Sequence, residues 1–351
     1  MKFFNKTRIV LIAVLGLALI MRVYRIGADP IGFFCDEAVR GLDAYYLLTR
    51  GVDSNNAKFP IFFRALGEYT PPIQTYSEML SVAVLGLNEI AVRLPAAIFG
   101  TISIVLVYLL AKTLFSRRVG LIAAIIMALT PWAIHYSRTG FEYNIYLVFF
   151  LLSLWTWARG RENQRWFLIS AAFWGLTLYT YNPAKLIVPI FFLMLIIWDL
   201  KSLIKKPMVV VSCLLIFTVI SIPMGWHIKS GKGLIRFNQV SVFNGQADSS
   251  AVIQRMATNY ARHYSLDFLF FRGEPDLPSR HFSTVIKPLL IVTLPFWLLG
   301  IRRLLLRKKR IVWLWVAIYP LSGVLISDIG TYRAMIGLPL MVIITAIGID
   351  W

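Results

Sequence analysis

Acidic side chains crowd one stretch of this chain. Asp29, Asp36, Glu37, Asp43, Asp53, Glu68 and Glu78 lie within or just beside residues 33–72, between two long apolar segments. So much acid beside so much apolar sequence reads as the active-site loop of a membrane enzyme. Asp36 stands at the start of a helix expected over 37–50. A carboxylate there can cap the helix by bonding its first free N–H groups, or it can do chemistry. The roles are compatible, because a capping carboxylate is held in place. Glu37 must point elsewhere, since helix neighbours do not share a face. One of the pair therefore faces a cavity, and the other faces solvent or a structural partner. Further on, Glu68-Tyr69-Thr70 runs into Pro71-Pro72. Two prolines forbid a helix interior and hold the chain extended, which would fix Glu68 and Tyr69 in place. The plainer alternative is a rigid turn with no chemical role.

The frame around this stretch is a membrane. The chain has 351 residues and is 58% hydrophobic but only 15% charged, against about 45–50% and about 25% in soluble domains. Apolar runs near the length that crosses a bilayer recur. Spans are predicted near 9–27, 93–115, 119–135, 145–158, 166–182, 186–199, 208–224, 286–301, 311–327 and 334–349. The fold class is all-α: one polytopic domain over 1–351 with about ten transmembrane helices. Two large outer loops, 28–92 and 225–285, carry short interfacial helices. In 28–92, Ala38, Leu42, Tyr45, Tyr46 and Thr49 fall at helical spacing, suggesting a face on the membrane surface. The first apolar run exceeds a signal peptide's, and Arg22-Val23-Tyr24-Arg25 is a poor cleavage site, so an uncleaved anchor is predicted.

Charge sets the orientation. The net charge of +19 does not point to nucleic acid, because the basic residues are dispersed between apolar runs. With the N-terminus cytoplasmic, every inner loop holds a basic cluster. Of the 17 carboxylates, only Glu162, Asp199 and Asp350 then fall inside. His135, His227, His263 and His281 fall at or beyond outer span ends. Titratable chemistry thus concentrates on the extracytoplasmic side of a multi-pass protein of the cell membrane. Cys35 lies in a loop and Cys213 in a span, so no disulfide is predicted. Metal-ligand spacings, Gly-rich phosphate loops and repeats are not evident.

Other outer turns carry polar and aromatic residues. One follows Pro131-Trp132 and holds Ser137-Arg138, where Arg138 and Glu142 stand four apart, a spacing at which they could pair. An Arg at this surface is also where a lipid phosphate would sit; the plainer reading is an interfacial cluster with an aromatic belt. Another is Tyr181-Asn182-Pro183-Ala184-Lys185. The second large loop holds His263-Tyr264-Ser265 and then an apolar stretch, 266–271, too short to span and expected to lie in the interface and cover a cavity. Arg280-His281 follows. Tyr332-Arg333 lies before the last span.

Taken in order, these motifs resemble a family. Asp36-Glu37, Pro71-Pro72, Arg93-Leu94-Pro95, Pro131-Trp132, Ser137-Arg138, Tyr181-Asn182-Pro183-Ala184-Lys185 and His263-Tyr264-Ser265 are arranged as in the GT-C glycosyltransferases that use polyprenyl-phosphate sugars. Protein O-mannosyltransferases and aminoarabinose transferases are among them. The resemblance implies an inverting transfer of a sugar, most often mannose, from polyprenyl phosphate to a hydroxyl of an acceptor protein, lipid or glycan at the outer membrane surface. By motif match Asp36 is the general base, with Glu37 and Glu68 as supporting candidates. Arg138, Arg280, Arg333 and Lys185 are candidates for the donor phosphate. Tyr69, Tyr181, His263, His281 and Tyr332 are candidates to line the substrate cavity. Some relatives use a divalent metal held by loop acids; no spacing here demands one. Two features depart from the family: Thr70 stands where many relatives have lysine, and relatives are often longer. The chain therefore reads as a short variant or as a fragment lacking acceptor-binding parts. Two rivals remain. A flippase or transporter of lipid-linked sugar predicts charges inside the spans, which are nearly free of them. A non-catalytic scaffold subunit predicts no role for Asp36.

Overall fold

The computed structural model describes residues 2–244, 248–273, 287–307, 309–326 and 331–351. Helix α1 (Lys2–Val23) leads into the acidic stretch, which forms α2 (Cys35–Arg50), the strands β1 (Phe63–Ala65) and β2 (Glu68–Thr70), and α3 (Pro72–Leu85). Next come α4 (Glu89–Leu114), α5 (Arg117–Leu129), the short α6 (Pro131–Tyr136), α7 (Tyr143–Arg159), α8 (Arg165–Thr177), α9 (Ala184–Trp198), α10 (Leu200–Leu203) and α11 (Pro207–Lys229). The second large loop contributes α12 (Ile235–Val240) and α13 (Ser249–Arg262). Then follow α14 (Leu294–Leu306), α15 (Arg310–Ile318), α16 (Leu321–Val324) and α17 (Leu338–Ile349). Each predicted span contains a helix. Among the described residues, three helical segments are long and apolar enough to cross a membrane: Glu89–Leu114, Pro207–Lys229 and Tyr332–Ile349.

Helix α4 is the hub. It packs on α1, α3, α5 and α7, while α7 also packs on α8, α8 on α11 and α14 on α17. Phe150 of α7 meets Trp174, Phe191 and Trp315 at ring separations of 5.4, 5.3 and 5.6 Å, within the range of favourable aromatic pairing. Helices α14 and α17 touch backbone to backbone. A Cβ at Gly300 would lie 1.8 Å from the Ile344 carbonyl oxygen, so only glycine permits this approach.

Helix α4 starts earlier than predicted, at Glu89, with the Asn88 side chain capping the Ala91 N–H at 2.9 Å. Pro95 therefore lies inside the helix rather than in its first turn. Its missing N–H leaves the Ala91 carbonyl without its helical donor. The Ser81 hydroxyl of α3 donates to that carbonyl instead, which ties α3 to α4.

The acidic stretch differs from the predicted picture in two ways. Residues 63–70 form a two-stranded hairpin, the only sheet among the described residues. Its two turn residues, Leu66 and Gly67, both have positive φ, 51° and 81°, as a tight primed turn requires. Second, α2 buries charge. Its inward face carries Glu37, Arg40 and Asp43, whereas Ala38, Tyr45 and Thr49 face outward. The charged face is inside because partners wait there: Arg93 for Glu37, Glu142 for Arg40 and the Ser54 N–H for Asp43.

Candidate active site

The two adjacent carboxylates point apart, and their partners define their parts. Glu37 is buried and fully engaged. Its Oε1 accepts from Arg93 Nε at 2.9 Å and from the Gly140 N–H at 2.7 Å. Its Oε2 accepts from the Phe34 N–H at 3.0 Å and from Arg93 at 3.3 Å. Glu37, not Asp36, is thus the acid that reaches back over the helix start. Arg93 in turn donates to the carbonyls of Ile26, Pro30 and Gly32. This knot staples α2, α4 and the segment after α1 into one unit.

Asp36, half-buried in the first turn of α2, lines a cavity of about 330 Å³. No hydrogen bond or ion pair among the described residues engages its carboxylate. Arg40, one helical turn on, lies on the same face and lines the same cavity. Arg40 bonds Glu142 at 2.9 Å and the Gly140 carbonyl at 2.7 Å, and lies 3.8 Å from Glu78. Burial works to lower the Arg40 pKa, but Glu142, Glu78 and Asp36 together raise it. Glu78, wholly buried on α3, is pushed up to about 8 by desolvation, against the pull of Arg40 and of the Gln74 amide, which donates at 2.6 Å. Burial, and an arginine shared with Glu142, thus favour the protonated form of Glu78.

The rest of the cavity wall comes from far along the chain. β2 supplies Glu68, which pairs with Arg236 at 3.3 Å. The turn before α9 supplies Asn182, and the first turn of α9 supplies Lys185. Lys185 precedes the apolar stretch 186–199, and its ammonium donates to Asn182 Oδ1 at 2.8 Å and to the Gly233 carbonyl at 3.0 Å. Burial lowers its pKa to about 8 while Glu68 pulls it back up. Arg333 and Tyr332 come from the turn before α17. Phe141, Tyr143, Tyr181 and Tyr332 make an aromatic wall, with Tyr143 stacked on Phe141 at 5.4 Å and on Tyr332 at 5.2 Å. Leu186, Ile228, Leu234, Phe237, Val240, Leu325 and Ile326 line the apolar remainder.

Of the candidates read from the sequence, the cavity therefore gathers Asp36, Glu68, Lys185, Arg333, Tyr181 and Tyr332. Others lie elsewhere. Glu37 is tied into the Arg93 knot. Arg138 does not pair with Glu142; it donates to the carbonyls of Met21 and Asp29 at 2.8 and 3.0 Å, and it does not line the cavity. Tyr69 packs edge-on against His227 at 5.1 Å. His263 is fully buried, its Nδ1 2.7 Å from the Asn259 carbonyl, and desolvation lowers its pKa to about 4. Arg280 and His281 lie outside the described residues. The stretch 266–271 covers no cavity of this size: Phe268, Leu269 and Phe270 are buried in the core, with Phe270 against Trp297 at 5.6 Å. Among the described residues no group of three or more His, Cys, Asp or Glu could hold a metal ion. Arg40, Glu142 and Arg236 were missed. Arg40 was within reach, since a helix start at residue 35 or 36 puts position 40 on the face of Asp36. Arg236 carries no local signal.

Comparison with known proteins places this geometry. The structure superposes over 99% of its length on ArnT of Cupriavidus metallidurans bound to undecaprenyl phosphate, with a TM-score of 0.62 and 14% identity. It superposes equally fully on the oligosaccharyltransferase AglB of Archaeoglobus fulgidus in complex with an inhibitory peptide and a dolichol-phosphate, at 0.66 and 15%. The fold is GT-C. Within it, residues 69–227 match the family model of dolichyl-phosphate-mannose-protein mannosyltransferases. Among curated proteins, the GT-C chain is 28% identical over 222 residues to "Putative mannosyltransferase YkcB" of Bacillus subtilis, covering 61% of this chain and 30% of that one. It is 31% identical over 162 residues to "Putative mannosyltransferase YycA" of the same organism, covering 45% and 23%. The chain thus spans less than a third of either relative, and 60% and 50% of the two solved chains.

Proposed function

We propose that this cavity is the active site of an inverting glycosyltransferase that moves a sugar from a polyprenyl phosphate to an acceptor hydroxyl. The observation that carries the reading is the Asp36 carboxylate. Among the described residues no hydrogen bond or ion pair engages it, although Arg40 lies near enough to feel its charge, while its neighbour Glu37 is fully bonded. In this reading the acceptor O–H gives its proton to Asp36 and its oxygen attacks the anomeric carbon. The bond to the phosphate oxygen breaks, and its electron pair stays on the phosphate. A carboxylate is a weak base toward an alcohol, but it suffices when the proton leaves late as phosphate departs. Lys185, Arg236 and Arg333 balance the charge that develops on the leaving group, the kind of fixed electrostatic aid that often contributes most to catalysis. Glu68 holds Arg236, and the aromatic wall seats the sugar. The apolar remainder of the wall takes the first isoprene units.

Mannose is the sugar favoured by the names of the curated relatives, and the acceptor is a protein, lipid or glycan at the outer surface. The whole of 1–351 acts as one transmembrane domain, with the cavity extracytoplasmic. The test is a panel of radiolabelled polyprenyl-phosphate sugars given to membranes containing the chain, followed by extraction of labelled product. Transfer from polyprenyl-phosphate mannose, lost in Asp36→Asn, is the expected result. No transfer from any donor would favour a scaffold role instead.

A further inference from the structure

A second and larger cavity, about 550 Å³, lies at the far end of the same helices. The first cavity sits at the N-terminal ends of α7 and α9, and this one at their C-terminal ends. Those helices have 17 and 15 residues, so the two sites are roughly 25 Å apart at about 1.5 Å per residue. The proposed transfer makes no use of it.

The walls differ in chemistry. The floor is apolar and buried, built from Trp157, Phe167, Leu195 and Leu314. The rim is basic: Arg161, Lys201, Lys206, Lys309 and Arg310 line it against one carboxylate, Asp199. Asp199 is already engaged, accepting from Trp157 Nε1 at 2.9 Å and from Arg161 at 2.8 Å. Among the described residues no carboxylate pairs with Lys201, Lys206, Lys309 or Arg310. These cations come from three separate connections, α7 to α8, α9 to α11 and α14 to α15. Basic loop residues of membrane proteins need only reach water, but here they converge on one concave site. Like charges gathered around a low-dielectric hollow repel one another and focus a positive potential there. An anion relieves that repulsion, and an apolar floor below a cationic rim fits an anion that carries a hydrocarbon tail.

We propose that this cavity binds the phosphate head of an anionic lipid, with the first acyl carbons against Trp157 and Phe167. A soluble phosphate ester shares the same phosphoryl chemistry, and the test separates the two. Native mass spectrometry of the purified full chain follows binding during titration with phosphatidylglycerol and, separately, with zwitterionic phosphatidylcholine. The wild type should bind phosphatidylglycerol about tenfold tighter or more, and Lys206→Ala/Lys309→Ala should erase most of that preference. A control double variant, Lys58→Ala/Arg64→Ala, removes the same charge from exposed positions in the first large loop and should leave the preference intact. Equal binding of the two lipids overturns the proposal. So does an unaffected rim variant, or an equal loss in the control, which would mean diffuse attraction without a site. Displacement of phosphatidylglycerol by millimolar inorganic pyrophosphate would overturn the lipid as occupant in favour of a soluble phosphate ester, whereas retention supports the lipid.

Discussion

Glu37→Gln should damage the fold, and Asp36→Asn should damage only the chemistry, although the two acids are neighbours. Glu37 accepts four bonds, two from Arg93 and one each from Gly140 and Phe34. Glutamine keeps one acceptor oxygen and puts an NH₂ donor against donors. The Arg93 guanidinium, 1% exposed, then keeps its carbonyl partners but loses its counter-charge. Breaking a buried pair from one side costs about 3–5 kcal/mol. An unfolding entropy of about 2.1 cal/mol/K per residue gives roughly 0.7 kcal/mol/K for 351 residues. The melting temperature should therefore fall by about 4–7 °C. Asp36→Asn loses no hydrogen bond or ion pair among the described residues, so its melting temperature should stay within about 1 °C. Loss of a general base should still lower transfer about 10²–10⁴-fold. A thermal-shift series in detergent, run beside the labelled-donor assay, measures both. An unchanged melting temperature in Glu37→Gln, or an equal drop in Asp36→Asn, would refute the division of labour argued here.

Other outcomes follow from the same contacts. Glu78 has its folded pKa raised to about 8, so between about 4.5 and 8 the folded state holds a proton that the unfolded state has lost. Stability should fall as pH rises through that window and level off above it, and Glu78→Gln should flatten the slope in a pH series of melting curves. Arg236→Ala should raise the apparent KM for donor and remove the ion pair to Glu68, while Arg236→Ala/Glu68→Ala should add little further loss; simple additivity in that cycle would deny their coupling. Gly300→Ala drives a Cβ into the Ile344 carbonyl and should cost about 1–3 kcal/mol or more; an unaltered melting temperature would show that α14 and α17 can separate. For topology, Asn55→Cys should react with an impermeant thiol reagent in intact cells and Arg161→Cys should not, and the reverse pattern would invert the orientation.

Much of the framework was legible in the residues themselves. Each hydrophobic run named as a span holds a helix among the described residues, because an apolar segment must bury itself whatever lies beside it. The divergence of Asp36 and Glu37 followed from helical geometry alone. Only the tertiary structure shows that Glu37 is the bonded acid of the two. Glu37 owes its place to Arg93, 56 residues away, and to Gly140, 103 residues away. Likewise Glu142 chose Arg40 over the nearby Arg138, since Arg40 reaches it buried while Arg138 finds backbone carbonyls at the end of α1. Helix α2 turns Glu37, Arg40 and Asp43 inward, which only distant partners explain. His263 looked chemical by type but is sealed in the core, and Arg236 had no local mark at all. A side chain's type and its neighbours in sequence limit what it can do. Whether a carboxylate is a structural clamp or a free base depends on the cations and N–H donors that distant segments bring within 3 Å or so.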